Sequence, residues 1–436
     1  MLRERVALLR EAETWSAEQH REYQLGELRR VLLRVQQHVP HYRRQFQDIG
    51  FDPEAVCSLE DIQALPLLAK ETVRDNISSF LADDCDASTL IEMTTGGSTG
   101  NPMRVPWDQR FYALNTANTY YYLSVAGFTP GMHRSIRLHG DPIPNDHIDA
   151  GEYWMTEGLR LTLSVHHISD ETVAGFVNQI DAQDPEYIHA YPSALFILCE
   201  CMERNRLHLK ARIKAVFCDS ETLYSWQRER FETLFGCKVY GIYGHTEGAV
   251  CAITYPDSDD LHLLPEVGFT EIIDSDGTPV TTPGGSGEIV VSGFNSTVFP
   301  LIRYRTGDIG TISDTPDVSG RHHPRLSQIE GRIQDFVIDR NGQQVAIAPA
   351  LFDYHFDWSG IDRFQIHQKA RGELLFRLVL AKTKQPGGGD IAARVVSEFG
   401  RLLNREFNIS AEIVDEIPLT PRGKFRYVEQ ELSTGA

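Results

Sequence analysis

The sequence predicts an α/β protein: a large N-terminal domain with mostly parallel sheet and a β-rich subdomain, followed by a small, mobile α+β domain. Three observations carry this. Residues 186–243 alternate strand, helix and strand, which implies right-handed crossovers and parallel pairing. Residues 268–293 hold two strand-like runs joined by Asp276-Gly277 and Pro283-Gly284-Gly285 turns, the mark of antiparallel pairing. Beyond residue 332 the pattern changes to short strands around one amphipathic helix. The expected division is 1–332 and 333–436.

In chain order, residues 16–39 read as an amphipathic helix. Ser16 can cap it, Leu25, Leu28, Leu32, Val35 and Val39 share one face, and Pro40 ends it. Leu65-Pro66-Leu67-Leu68-Ala69-Lys70 reads as a packing segment without assigned chemistry. Leu90–Met93 is a short strand leading into Thr94-Thr95-Gly96-Gly97-Ser98-Thr99-Gly100-Asn101-Pro102. Three glycines let the backbone approach a ligand and expose amide donors, and four hydroxyl residues add more, a composition suited to phosphate oxygens. It is not a Walker loop, because Asn101 stands where Lys is needed, and Pro102 bars the helix of a dinucleotide fingerprint. Taken alone, a Gly/Ser/Thr surface turn accounts for it.

Residues 107–125 are rich in aromatic side chains (Phe111, Tyr112, Tyr120, Tyr121, Tyr122), for which core packing is the simplest role. In Arg134–Asp141, strand alternation puts Arg137 and His139 on one face. Two readings stand side by side: an anion- or carboxylate-binding face, and a pair of surface charges at a strand end. Tyr187–Ala190, Ala215–Cys218 and Lys238–Tyr243 are strands, with helices over Ser193–Glu203, capped by Ser193, and Ser225–Phe235. Ligands of parallel sheets bind beyond the C-terminal strand ends, where Tyr243-Gly244-His245-Thr246-Glu247 falls. Residues 311–327 read as a polar surface loop. In the last part, strands are expected near 361–368, 373–382 and 411–417, with a helix from Asp390.

Composition sets limits on function. The chain has 436 residues, enough for two or three domains, and 41% hydrophobic residues. No apolar run approaches a membrane span, and the N-terminus lacks a signal-peptide core. Seven scattered cysteines without CxxC spacing read as reduced thiols, so a cytoplasmic protein is expected. A formal charge of −19 argues against a nucleic-acid binder, and a polyanionic ligand would need a locally donor-rich site and a metal counter-ion.

The glycine-rich stretch is followed in order by Tyr243–Glu247, Tyr304-Arg305-Thr306-Gly307-Asp308, Gly331-Arg332 and Pro421-Arg422-Gly423-Lys424. This series resembles the adenylate-forming superfamily of acyl-CoA synthetases, luciferases and peptide-synthetase adenylation domains. Within it, the branch of phenylacetate-CoA ligases and capsule-biosynthesis relatives is the nearer match, and Val39–Phe46 looks like that branch's N-terminal segment. The resemblance spans essentially the whole chain. It implies an ATP-dependent ligase that adenylates a small acid, aromatic acids among the candidates, and passes it to a thiol, either coenzyme A or a carrier protein. Transfer to an amine, activation of an oxyacid such as nitrite, and a non-catalytic nucleotide-binding protein stand as alternatives. No nucleic-acid or membrane partner is expected, and the oligomeric state, with a dimer among the options, is left open.

The same resemblance assigns roles. Thr95, Gly96, Gly97, Ser98, Thr99 and Gly100 would hold the β- and γ-phosphates of ATP. Tyr243 and Gly244 would contact adenine, Thr246 a phosphate, and Glu247 Mg²⁺. Asp308 would accept from the ribose hydroxyls, and Arg332 would bind the ribose–phosphate side. Lys424 would bridge the acid and the α-phosphate. Two departures matter. Gln334 occupies the hinge position where Asp or Lys is common, and Asp317-Val318-Ser319-Gly320 replaces the CxCG cluster that helps to bind zinc in some relatives. His262 survives without thiolate partners, so no zinc is expected.

Overall fold

The long N-terminal helix starts where Ser16 and Gln19 satisfy one another's backbone: Gln19 N donates to Ser16 Oγ at 3.2 Å, and Ser16 N to Gln19 Oε1 at 2.9 Å. The helix runs Ala17–His38 and buries Leu28, Val31, Leu32 and Val35. Pro40 does more than stop it. Proline suits the first helical position, and a second helix, Pro40–Ile49, begins there and ends at Gly50 with φ +68°. The computed structural model describes residues 1–95, 103–332, 336–342, 344–346, 360–381, 388–403, 407–419 and 425–432. These fall into two compact units.

The first unit comprises Met1–His133, Phe217–Ser220 and Tyr240–Ile329. Its sheet has the order Gly268–Ile273, Ser286–Gly293, Tyr304–Ile312, Arg325–Arg332, Ser258–Leu263, Cys251–Tyr255, Val239–Gly244. Gly268–Ile273 and Ser286–Gly293 are antiparallel, as the turn residues between them require, and Ser286–Gly293 also pairs antiparallel with Tyr304–Ile312. The N-terminal helices share this unit's core: Tyr42 donates to the Pro300 carbonyl at 3.2 Å and accepts from Ile302 N at 3.0 Å. Ile91–Thr94 stands apart from this sheet. It pairs antiparallel with Arg104–Trp107 in a separate two-stranded ribbon, so the glycine-rich stretch connects two strands of a hairpin. The aromatic stretch is the helix Gln109–Ser124; Phe111, Tyr121 and Tyr122 are buried, whereas Tyr112 and Tyr120 are exposed.

Residues 311–327 depart from a simple solvated loop. Their ends lie in the strands Tyr304–Ile312 and Arg325–Arg332, and Ser313 and His323 between them are buried. Burial, reinforced by the neighbouring His20, His262 and Arg321, pushes the His323 imidazole down to about 3.

The second unit comprises Arg134–Val216, Glu221–Val239 and Glu330–Ala436. Ser135–Leu138 pairs parallel with Tyr187–Ala190 on one side and Arg160–Leu163 on the other, and Trp154–Glu157 adds an antiparallel edge. The helix after Tyr187–Ala190 spans Pro192–Arg204 with Pro192 in its first turn, so Ser193 lies inside the helix rather than capping it. Ser193 donates instead to Glu221, its hydroxyl at 3.0 Å and its amide at 2.9 Å. A separate four-stranded sheet has the order Asn408–Ile413, Glu373–Leu380, Ile361–Gln368, Val428–Gln430, antiparallel at its centre and parallel at both edges. The helix Gly388–Leu402 closes it with Ile391, Val395 and Phe399, the last 4.7 Å between ring centroids from Phe376.

Candidate active site

The strand Val239–Gly244 delivers Tyr243 at its C-terminal end, and the chain then turns through His245 and Thr246 to Glu247. Gly248 makes this turn possible. Its φ is +62°, and a Cβ there would stand 2.5 Å from Phe111 Cζ and 2.9 Å from Asn115 Oδ1. Trp107 ties the turn to the hairpin by donating Nε1–H to the Thr246 carbonyl at 3.0 Å.

Glu247 is the electrostatic centre. It is 7% exposed, and the Tyr304 hydroxyl donates to its Oε1 at 2.7 Å. His245 Nδ1 stands 3.1 Å from Oε2, and Lys70 Nζ lies 4.0 Å from Oε1. Burial by itself would raise this carboxyl, but His245, Lys70 and the Tyr304 hydroxyl outweigh it and bring it down to about 2. The same contact works on Tyr304 in reverse: burial and the adjacent carboxylate push its phenol upward, so it remains a neutral donor.

One strand serves both halves of the site. Tyr304–Ile312 begins at Tyr304 and carries Asp308, which accepts from the Tyr243 hydroxyl at 2.8 Å. Between them the register against Ser286–Gly293 slips, between Glu288 and Val290. Glu288 fills the irregularity by accepting from Arg305 Nε at 2.8 Å and from Gly307 N at 3.1 Å, while Thr306 donates to the Ile289 carbonyl at 2.7 Å. Gly307 takes φ +75° in this bulge, and Asp308 follows it.

Lys70 arrives from a segment to which the sequence assigned only packing. Leu68 N donates to the Arg303 carbonyl at 2.8 Å and Arg305 N to the Leu68 carbonyl at 2.9 Å, so Leu68 bridges alongside Tyr304. Arg303, buried and at φ +49°, holds the segment by donating to the Leu65 carbonyl at 2.6 Å. Two further bonds, of 3.0 and 2.9 Å, join it to Glu271. Lys70, Tyr304, His245, Trp107 and Gly248 are thus members of the site to which no role was attached. His245 and Tyr304 stand inside the quoted motifs and Gly248 beside one, whereas a contact such as that between residues 70 and 247 has no spacing rule.

Thr95 closes the neck of the glycine-rich stretch: its amide donates to the Met103 carbonyl and its hydroxyl accepts from Met103 N, both at 2.9 Å. Gly96, Gly97, Ser98, Thr99 and Gly100 lie outside the described residues, as do Gln334 and Lys424. Arg332 ends the strand Arg325–Arg332, and its side chain also lies outside the description. Arg137 and His139 belong to the second unit. There Arg137 donates to Asp141 at 2.7 Å, and the buried His139 ring packs edge-on against His189 and Tyr191 at 4.6 and 4.4 Å.

A carboxylate kept ionised inside a buried pocket suits a hard divalent cation shared with phosphate oxygens. The Tyr243–Asp308 pair offers a ring and acceptor oxygens for a nucleoside. Comparison with known proteins bears on the family and the fold. The chain is similar to Protein CapK of Staphylococcus aureus, 24% identical over 373 residues that cover 85% of this chain and 80% of that protein. It is also similar to the phenylacetate-coenzyme A ligase of Pseudomonas putida, 27% identical over 398 residues covering 84% and 85%. Its fold matches the crystal structure of 2-hydroxyisobutyryl-CoA ligase in the postadenylation state, with a TM-score of 0.74 at 22% identity over 96% of this chain and 91% of that one. The family model described as AMP-binding enzyme matches residues 60–299, more than half of the sequence, and the chain belongs to that family.

Proposed function

We propose that the protein is an ATP-dependent, AMP-forming acid–thiol ligase acting on a small carboxylic acid. The observation that carries this is the double use of the strand Tyr304–Ile312: Tyr304 binds Glu247 and Asp308 binds Tyr243, so one rigid element sets both pairs. In the first half-reaction an oxygen of the acid attacks the α-phosphorus. The bond to the bridging oxygen of the β-phosphate breaks, and pyrophosphate leaves. In the second, a thiolate attacks the acyl carbon and AMP departs with the C–O bond pair. Coenzyme A is the thiol that the relatives' names support, since phenylacetate-coenzyme A ligases act with it.

Within this reading, Glu247 is the residue that would hold Mg²⁺, which screens phosphate charge when bound. A single buried, ionised carboxylate fits a cation that takes its other ligands from phosphates and water. Tyr243 and Gly244 flank the base, Asp308 accepts from the ribose, and Thr246 faces a phosphate. Gly96–Gly100, Arg332 and Lys424 keep the roles that the resemblance implies, with residues 333–436 as the small domain that carries the lysine. Arg137 and His139 are proposed as the acid-binding face. A cytoplasmic location accords with seven free cysteines, and no described helix is long and apolar enough to cross a membrane.

The test is ATP–pyrophosphate exchange across a panel of aliphatic and aromatic acids, repeated with coenzyme A while thioester is measured. Acid-dependent exchange followed by thioester is the expected result. Nucleotide binding without exchange for any acid would sink the proposal, and exchange with transfer only to amines would replace the thiol.

A further inference from the structure

A second buried polar cluster, sharing no residue with the nucleotide site, is left unexplained by that function. Glu266 is 1% exposed, and no hydrogen-bond donor among the described residues is aimed at either carboxylate oxygen. The nearby guanidinium groups are engaged elsewhere. Arg5 donates to the Glu266 backbone carbonyl at 2.9 Å and to Asn118 at 3.3 Å; Arg321 pairs with Asp257 at 2.9 Å, and its Nε, without a hydrogen bond, stands 3.7 Å from Glu13. What does face the carboxylate is His20, with Nδ1 3.4 Å from Oε1. His323 completes the group, its ring 5.0 Å from that of His20 and both of its nitrogens unpartnered. One donor atom from each of His20, Glu266 and His323 lies within 4.8 Å of the others.

The tautomer of His20 sharpens the problem. Its Nε2 is 3.2 Å from the Arg321 carbonyl oxygen, which only accepts, so Nε2 carries the hydrogen. In the neutral ring, Nδ1 then points a lone pair at a carboxylate oxygen in a buried site. That arrangement repels unless something positive stands between them, either a proton or a metal ion. A proton on His20 would serve one oxygen of Glu266 and leave His323 unsatisfied. A metal ion accepts one lone pair from each of the three. An imidazole that binds through one nitrogen while the other donates to a backbone carbonyl is the usual way a ligating histidine is held.

We propose that His20, Glu266 and His323 bind a divalent transition-metal ion of the zinc class, as a structural site. Two imidazole nitrogens and one carboxylate favour such an ion over Mg²⁺ or Ca²⁺, which prefer all-oxygen shells. His262, whose ring is 6.0 Å from that of His323 and whose nitrogens are also unpartnered, is the next donor outward. The missing thiolates at 317–320 argued against zinc, but this donor set is a different one. It comes from the helix Ala17–His38, the connection before Gly268–Ile273 and the connection before Arg325–Arg332. The ion would pin the N-terminal helix to the β-rich sheet and stabilise the folded chain by mass action.

The test uses the full chain, stripped with a chelator and titrated with Zn²⁺, and with Co²⁺ as a spectroscopic probe. Expected are about one bound ion per chain by elemental analysis, visible Co²⁺ ligand-field bands, and a rise in melting temperature with Zn²⁺. Glu266→Gln and His323→Ala should lose all three. His38→Ala should keep them, because His38, Asp83 and Asp84 form an exposed group that could bind the ion adventitiously. His323→Cys should show a sulfur-to-cobalt charge-transfer band absent from the native chain, which locates the site even where the other variants fail to fold. No metal uptake by the native chain, uptake abolished by His38→Ala, or a His323→Cys spectrum without that band would each overturn the assignment. None of these readouts depends on ligase activity.

Discussion

The Tyr243 hydroxyl donates to the Asp308 carboxylate at 2.8 Å, joining two motifs 65 residues apart in the chain. The bond orients the acceptor proposed for the ribose and fixes the ring proposed for the base. Removing a hydrogen bond to a charged group costs about 1.5–3 kcal/mol. Tyr243→Phe should therefore raise KM for ATP by roughly 10-fold or more while kcat changes less. Exchange kinetics at varied ATP check this, and an unchanged KM would detach the pair from nucleotide binding.

Glu247 titrates near 2 instead of its ordinary 4.5. The sign follows from linkage: a depressed carboxyl contributes stability that is fully present above 4.5 and lost as pH falls through about 2. The native chain should weaken across that window, and Glu247→Gln should flatten the dependence. Urea midpoints at about pH 5 and about pH 3 measure it. The variant should also need more Mg²⁺ for exchange, and Lys70→Ala should shrink the pH effect without abolishing it, because Lys70 stands off at 4.0 Å.

Gly248→Ala is expected to be destabilising rather than neutral. The added methyl would meet Phe111 at 2.5 Å in a backbone conformation of φ +62° that only glycine adopts freely. Overpacking and strain together predict about 2–4 kcal/mol. A fall in melting temperature, with weakened exchange from a displaced Glu247, is the expected reading.

Lys424→Ala should cripple adenylate formation by roughly 10²–10³ while ATP binding and capture of a supplied acyl-adenylate persist. A compact charge on a flexible stem suits the role proposed for Lys424, approaching the α-phosphate and withdrawing again. Near-normal pyrophosphate exchange in this variant would remove the lysine from the reaction.

Local rules reach a long way in this chain. The Ser16–Gln19 capping box, the helical face of Leu28, Leu32 and Val35, the antiparallel pair around Asp276-Gly277, and the strand ending at Tyr243-Gly244 all follow from spacings of two to four residues. Such spacings are set by backbone geometry. The ordered motifs carried the family for the same reason: they are short, and their order survives in the chain. Long-range pairing lies beyond those rules. That Lys70 and Tyr304 meet at Glu247, that Arg303 pins the segment before Lys70, and that Ser193 serves Glu221 instead of capping its helix depend on how distant elements pack. The burial of His323, and its meeting with His20 and Glu266, is the clearest case. A polar stretch reads as solvated by composition, and only the packed sheet decides which of its side chains must find a partner away from water.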